Sequence, residues 1–218
     1  MSTFCTLCDY LGIYDEDSIY GNVNKDNMEI GNGGNDMSKV AVFFGTGFEE
    51  IEALTVVDIL RRADIETDMV SVMGEKSVTG SHKIAVEMDK LLEEVNFDQV
   101  DVIVLPGGLA GTKNLEACEP LMEQVDRFVS AGKTVAAICA APSILGHRGH
   151  LKDKKACSYP SFESHLEGAE VLHQPAVIDG NIVTGRGMGA SVPFGLAILE
   201  KLKGKETARQ MAEKIVFI

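Results

Sequence analysis

The stretch Lys133-Thr-Val-Ala-Ala-Ile-Cys-Ala-Ala-Pro-Ser-Ile-Leu-Gly-His147 constrains the fold of this chain more than any other. Residues 135–138 form a short apolar run, as expected of an interior parallel strand. Pro142 suits the first turn of a helix, where its missing N–H costs nothing. A strand that becomes a helix so quickly needs a sharp elbow, and Cys139 occupies it. Such an elbow lifts a side chain to the carboxyl edge of the sheet, over a helix N-terminus. The free N–H groups and the dipole there favour negative charge. A thiol in that place is expected to ionise more readily than a free cysteine, whose pKa is about 8.5. The plainer alternative is a small buried hydrophobe, the commoner fate of cysteine. The elbow favours the reactive reading.

The rest of the chain from Ser38 onward alternates strand and helix. Strands are expected at 39–44, 68–73, 100–105, within 153–160, around Val171 and over 176–184. Residues 77–86 suggest a short hairpin, and Asp179-Gly180-Asn181 marks another. Helices are expected at 48–63, 89–95, 120–131, 190–202 and 205–213. This order predicts an α/β fold with a mainly parallel sheet covered on both faces. Ligands of such folds bind outside the carboxyl ends of the strands. Three strand ends meet that description: Gly45-Thr-Gly47, Pro106-Gly107-Gly108 and the Cys139 elbow. The Pro106-Gly107-Gly108 turn offers backbone N–H groups to an oxyanion, although a simple turn explains it equally well. The first loop lacks the third glycine and the downstream acid of a dinucleotide site, which excludes nucleotide binding there.

A second informative residue lies on the 48–63 helix. Advancing each residue by about 100° places Phe48, Glu52, Val56, Ile59 and Ala63 in one stripe. Glu52 therefore points inward, whereas Glu50, Asp58 and Arg61 gather on a polar side, with a solvent or capping role open to Glu49 and Glu50. A buried glutamate is rare without a partner, and desolvation raises its pKa. It can donate a hydrogen bond to a thiolate or shuttle a proton. Helix position alone equally allows a carboxylate satisfied by N-terminal N–H groups.

Residues 1–37 have a different character from the rest of the chain. They are rich in Asp, Asn, Gly and Tyr, and 22–36 reads as a linker. Cys5-Thr-Leu-Cys8 has no second pair or nearby histidine to complete a zinc site, so no metal is expected. The Gly33-Gly34-Asn35-Asp36-Met37 string is what a purine-rich ribosome-binding site would yield if translated, which makes Met37 the expected natural start. The expected domain is thus 38–218, preceded by a flexible or non-native extension. No apolar run approaches the ~20 residues of a membrane span, and no secretory pattern opens the chain. Five cysteines, an odd number without a signal, suggest free thiols and a cytoplasmic setting. A formal charge of −13 argues against nucleic acid and anionic membranes as partners. None of the five histidines (His82, His147, His150, His165, His173) directly follows Cys139, and each alone reads as a surface residue.

Taken together these segments resemble the DJ-1/ThiJ/PfpI family, in particular bacterial-type members of its DJ-1 branch. The matching pieces are Gly47-Phe-Glu-Glu-Ile-Glu-Ala53 after the first strand, Asp101-Val-Ile-Val-Leu-Pro-Gly-Gly108 followed by Asn114-Leu115, and Ala136-Ala-Ile-Cys-Ala-Ala-Pro142. Thr184-Gly-Arg-Gly-Met-Gly189 and Phe194-Gly-Leu-Ala-Ile-Leu199 complete the set. The resemblance implies a flavodoxin-like sandwich and a homodimer. It implies that Cys139 is the reactive cysteine, that Glu52 is its acid partner, and that N–H groups around Gly107, Gly108 and Ala140 form an oxyanion or substrate site. Many relatives carry His-Pro where this chain has Tyr159-Pro160, so Tyr159 either orients the cysteine or substrate, or simply walls the pocket. Peptidase-like members place histidine directly after the cysteine; Ala140 stands there, which disfavours proteolysis. The implied activity is cofactor-free, glutathione-independent conversion of small carbonyl substrates such as methylglyoxal, or protein deglycation. The alternative is a redox sensor or chaperone whose Cys139 oxidises to sulfinate without turnover.

Overall fold

The structure is a computed structural model and describes residues 38–218. The readings made for Cys5, Cys8, the 22–36 segment and Met37 lie outside the described residues. Seven strands form the central sheet: β1 (Lys39–Phe44), β2 (Glu66–Ser71), β5 (Lys90–Leu91), β6 (Val102–Leu105), β7 (Thr134–Ile138), β10 (Ala176–Asp179) and β11 (Ile182–Gly185). Their order across the sheet is β10-β11-β7-β6-β1-β2-β5. All neighbours pair in parallel except β10 with β11, the hairpin around Asp179-Gly180-Asn181. A second hairpin joins β3 (Ser77–Thr79) to β4 (Ala85–Glu87), and β8 (Lys155–Ala156) pairs with β9 (Glu170–Val171). The helices are α1 (Glu50–Arg62), α2 (Leu109–Glu116), α3 (Glu119–Ser130), α4 (Pro142–His147), α5 (Ser191–Lys203) and α6 (Lys205–Lys214).

The side-chain alternation of the strands builds two cores, one on each face of the sheet. Val40, Val42 and Phe44 of β1 join Val56, Leu60, Phe194 and Ile198 from α1 and α5. Ala41 and Phe43 join Leu121, Met122, Val125 and Phe128 from α3, with Ile144 and Leu145 from α4. The result is a flavodoxin-like three-layer sandwich. Gly195 lets α5 settle onto α1: a Cβ there would lie 2.8 Å from Ile59 Cδ1.

Two elements depart from the sequence reading. Residues 89–95 are not a helix; β5 extends the sheet and a 3-10 turn (Leu92–Glu94) comes after it. Asp89 accepts the Met69 N–H at 2.8 Å and Lys90 reaches Asp68 at 2.7 Å, so contacts with β2 hold this segment extended. Helix α2 has no counterpart in the sequence reading because Gly111 weakens its helical signal. That glycine is required for contact, since a Cβ would sit 2.7 Å from Phe48 Cα.

Candidate active site

Strands β1, β6 and β7 are adjacent, so their carboxyl ends bring the three turns together. Cys139 follows β7 at φ +66°, a left-handed conformation that costs a side-chain-bearing residue about 1–3 kcal/mol. The surroundings hold it there. Its N–H donates to Gly185 O at 2.9 Å, and its C=O accepts the Tyr159 N–H at 2.9 Å. The thiol is only half-buried, as an accessible nucleophile requires.

Glu52 comes from the first turn of α1 and is fully buried. Its Oε2 accepts the Gly107 N–H at 3.0 Å. Its Oε1 is buried without a hydrogen-bond partner among the described residues. The Cys139 thiol, a weak donor, lies beside the carboxyl. Gly107 separates the two side chains. A Cβ at Gly107 would lie 2.4 Å from Glu52 Oε2 and 2.5 Å from Cys139 Cβ. Gly108 is also obligatory: at φ +88°, a Cβ would meet Gly47 O at 2.4 Å. The amides of Gly108 and Ala140 hydrogen-bond toward Cys139 Sγ. The Gly107 N–H is engaged by Glu52 Oε2 and so fixes the acid.

Burial raises Glu52 to about 7, with the nearby Glu49 adding to the shift against the thiol and the Gly107 amide. Burial also pushes the Cys139 thiol up to about 12, with the Glu52 carboxylate reinforcing it. This direction is opposite to the one that the elbow alone would give. The Gly108 and Ala140 amides do act in the expected direction, but desolvation and a facing carboxylate outweigh them. The thiol and the carboxyl thus oppose each other's ionisation, and burial disfavours the charged form of both.

Glu50 departs from its expected solvent or capping role: it is buried. Its Oε1 accepts the His82 N–H at 2.7 Å, while Oε2 meets His82 Nδ1 at 3.0 Å and Ser81 Oγ at 3.1 Å. Burial alone would raise this carboxyl, but the His82 ring, backbone amides and Ser81 hold it down at about 2. Glu50 thus anchors the β3–β4 hairpin to the start of α1. The helical wheel missed it because its partners come from a segment about thirty residues away. Glu49, Glu50 and His82 also bring ligand atoms within 4.8 Å of one another. Tyr159 contributes its backbone to the elbow, and its side chain is half-exposed beside Gly187.

An α/β sandwich with an elbow cysteine and a buried acid against it defines the class of protein. The chain belongs to the DJ-1/PfpI family, whose profile matches residues 38–201. It is 37% identical over 179 residues to protein DJ-1 homolog A of Arabidopsis thaliana, a match covering 82% of this chain and 46% of the relative. It is 31% identical over 181 residues to the glutathione-independent glyoxalase DJ-1 of Schizosaccharomyces pombe, covering 78% of this chain and 94% of the relative. The chain spans less than half the length of the two Arabidopsis relatives that it matches. Among solved structures it resembles oxidized Toxoplasma gondii DJ-1, with TM-score 0.79 and 32% identity over 82% of this chain and 98% of that one. No helix among the described residues is long and apolar enough to cross a membrane.

Proposed function

We propose that this protein is a cysteine-dependent, glutathione-independent glyoxalase or deglycase-type enzyme acting on 2-oxoaldehydes such as methylglyoxal. The supporting observation is the buried Glu52 carboxyl held beside the Cys139 thiol, with its Oε1 lacking a hydrogen-bond partner among the described residues. Cys139 Sγ attacks the aldehyde carbon while Glu52 takes the thiol proton. This transfer conserves the net charge of the pair and keeps the thiolate from ever facing an ionised carboxylate. The new alkoxide lies toward the Gly108 and Ala140 amides and is protonated to a hemithioacetal. Glu52 then moves a proton from the aldehyde-derived carbon to its neighbour through an enediol, which leaves a thioester. Water hydrolyses the thioester, releasing lactate and restoring the thiol. Methylglyoxal plus water thus balances to lactic acid, and no cofactor takes part. The glyoxalase name of the fission-yeast relative supports the same reading. Lactate formation from methylglyoxal without glutathione tests it. Cys139→Ser and Glu52→Gln are each expected to abolish the product, and unchanged rates in either variant would sink the mechanism.

A second reading is favoured by the same oxygen. A protonated Glu52 suits a hydrogen bond to a cysteine sulfinate, as a redox sensor or chaperone without turnover would need. It is tested by intact mass after mild peroxide, where Cys139 is expected to gain two oxygen atoms. The proposed working form is a homodimer in the cytoplasm. Half-exposed Ile51 on α1 and Ile84 beside the β3–β4 hairpin supply apolar surface for such an interface.

A further inference from the structure

Away from Cys139, two histidines face each other across a tightly packed backbone. His147 ends α4, the helix that follows the elbow, and His165 ends the 3-10 segment Pro160–His165 that follows Tyr159. His147 Nε2 and His165 Nδ1 are 3.0 Å apart. His147 Nδ1 is bound at 2.7 Å to Oε1 of Glu116, the last residue of α2. The spacing is built into the chain trace. A Cβ at Gly146 would lie 1.9 Å from His165 O, so only glycine lets these two segments approach this closely. Phe162 flanks the His165 ring at 5.7 Å between centroids.

We infer that His147 and His165 form a two-imidazole site for a late first-row divalent cation, with Glu116 as the carboxylate behind His147. Cations of this group bind imidazole nitrogen at about 2.0–2.1 Å, so two nitrogens on one ion stand about 2.9–3.4 Å apart at right-angled to tetrahedral geometry. The observed 3.0 Å already meets that spacing. Glu116 accepts the Nδ1–H of His147, which leaves Nε2 as the lone-pair donor. This is the carboxylate–histidine arrangement that orients metal-binding imidazoles. His165 then holds its proton on Nδ1 to complete the pair. Cation binding moves that proton to its Nε2, a tautomer change with no net release. Both rings reach solvent, so the ion can enter and water can fill its remaining positions. The net charge of −13 favours cation approach. The Glu49–Glu50–His82 cluster is the weaker host. It offers one nitrogen, and its buried carboxylate is already bonded through both oxygens. A cation at the histidine pair would clip the segment that starts beside Tyr159 onto the helix that starts beside Cys139.

Nickel chloride is the probe, because Ni(II) prefers imidazole and does not oxidise thiols. The full chain is titrated by calorimetry, and histidine ring resonances are followed by NMR. One equivalent is expected to bind and to broaden the His147 and His165 rings. His147→Asn and His165→Asn should each lose that equivalent, and His82→Asn should keep it. Glu116→Gln should weaken binding about 10–100-fold. Circular dichroism establishes that each variant is folded. Binding that is absent from the natural chain, unchanged in the His147 and His165 variants, or lost in His82→Asn overturns the inference.

Discussion

Replacing Glu52 by Gln separates the cost of burying this acid from its chemistry. Glutamine has nearly the same shape, and its carbonyl can still accept the Gly107 N–H that now reaches Glu52 Oε2 at 3.0 Å. What it removes is the ionisation. The folded carboxyl titrates at about 7, against 4.5 for the unperturbed group. The folded state therefore binds more protons than the unfolded state between those values, and stability falls as pH rises through that window. Below about pH 4 both states hold the proton and no penalty exists; above about 8 the full penalty is present. At 1.36 kcal/mol per pKa unit, the shift corresponds to about 3 kcal/mol. For a domain of this size that is roughly 6–12 °C in melting temperature. Urea unfolding of both proteins, followed by circular dichroism at several pH values, measures it. The stability difference, glutamine variant minus natural chain, should grow by about 3 kcal/mol between pH 4.5 and pH 8. Taking the difference cancels the titrating groups that Glu52 does not perturb, and the coupled Cys139 thiol adds little below about pH 8 because an unfolded thiol ionises above it. A difference that stays constant with pH would refute the buried-acid argument.

The same geometry fixes two further outcomes. If Glu52 accepts the thiol proton, kcat/KM for methylglyoxal should rise with pH as the carboxyl ionises, with a midpoint at about 7. A midpoint in the ordinary carboxylate range, or one that survives in Glu52→Gln, would assign the base elsewhere. Gly107→Ala should lose about 1–3 kcal/mol of stability by overpacking. It should lose lactate formation as well, because the added methyl falls between Glu52 Oε2 and Cys139 Cβ. An active, stable alanine variant would mean that the acid and the thiol need not be held this closely.

Much of this molecule was legible in local pattern. The apolar runs of β1, β6 and β7, the abrupt Cys139 elbow and Pro142 at the start of α4 specify an α/β order with a cysteine at a strand end. The 3.6-residue stripe places Glu52 inward on α1. These features depend on residues close in sequence, so the chain itself determines them. Other features belong to tertiary contact. Gly111 finds its reason only in the Phe48 backbone packed against it, and Glu50 reads as a solvent or capping acid until Ser81 and His82 come over it. His147 and His165 each read as surface residues until the gap above Gly146 brings them together. The protonation of Cys139 shows the division most clearly. An elbow over a helix start predicts a readily ionised thiol, because the local amides favour negative charge. Folding adds burial and the Glu52 carboxylate from the first turn of α1, and those two effects push the thiol the other way. The sequence by itself determined that a cysteine would stand at the elbow. Only the tertiary structure sets the forces that act on its proton, because desolvation and Coulomb repulsion depend on what surrounds a group in space.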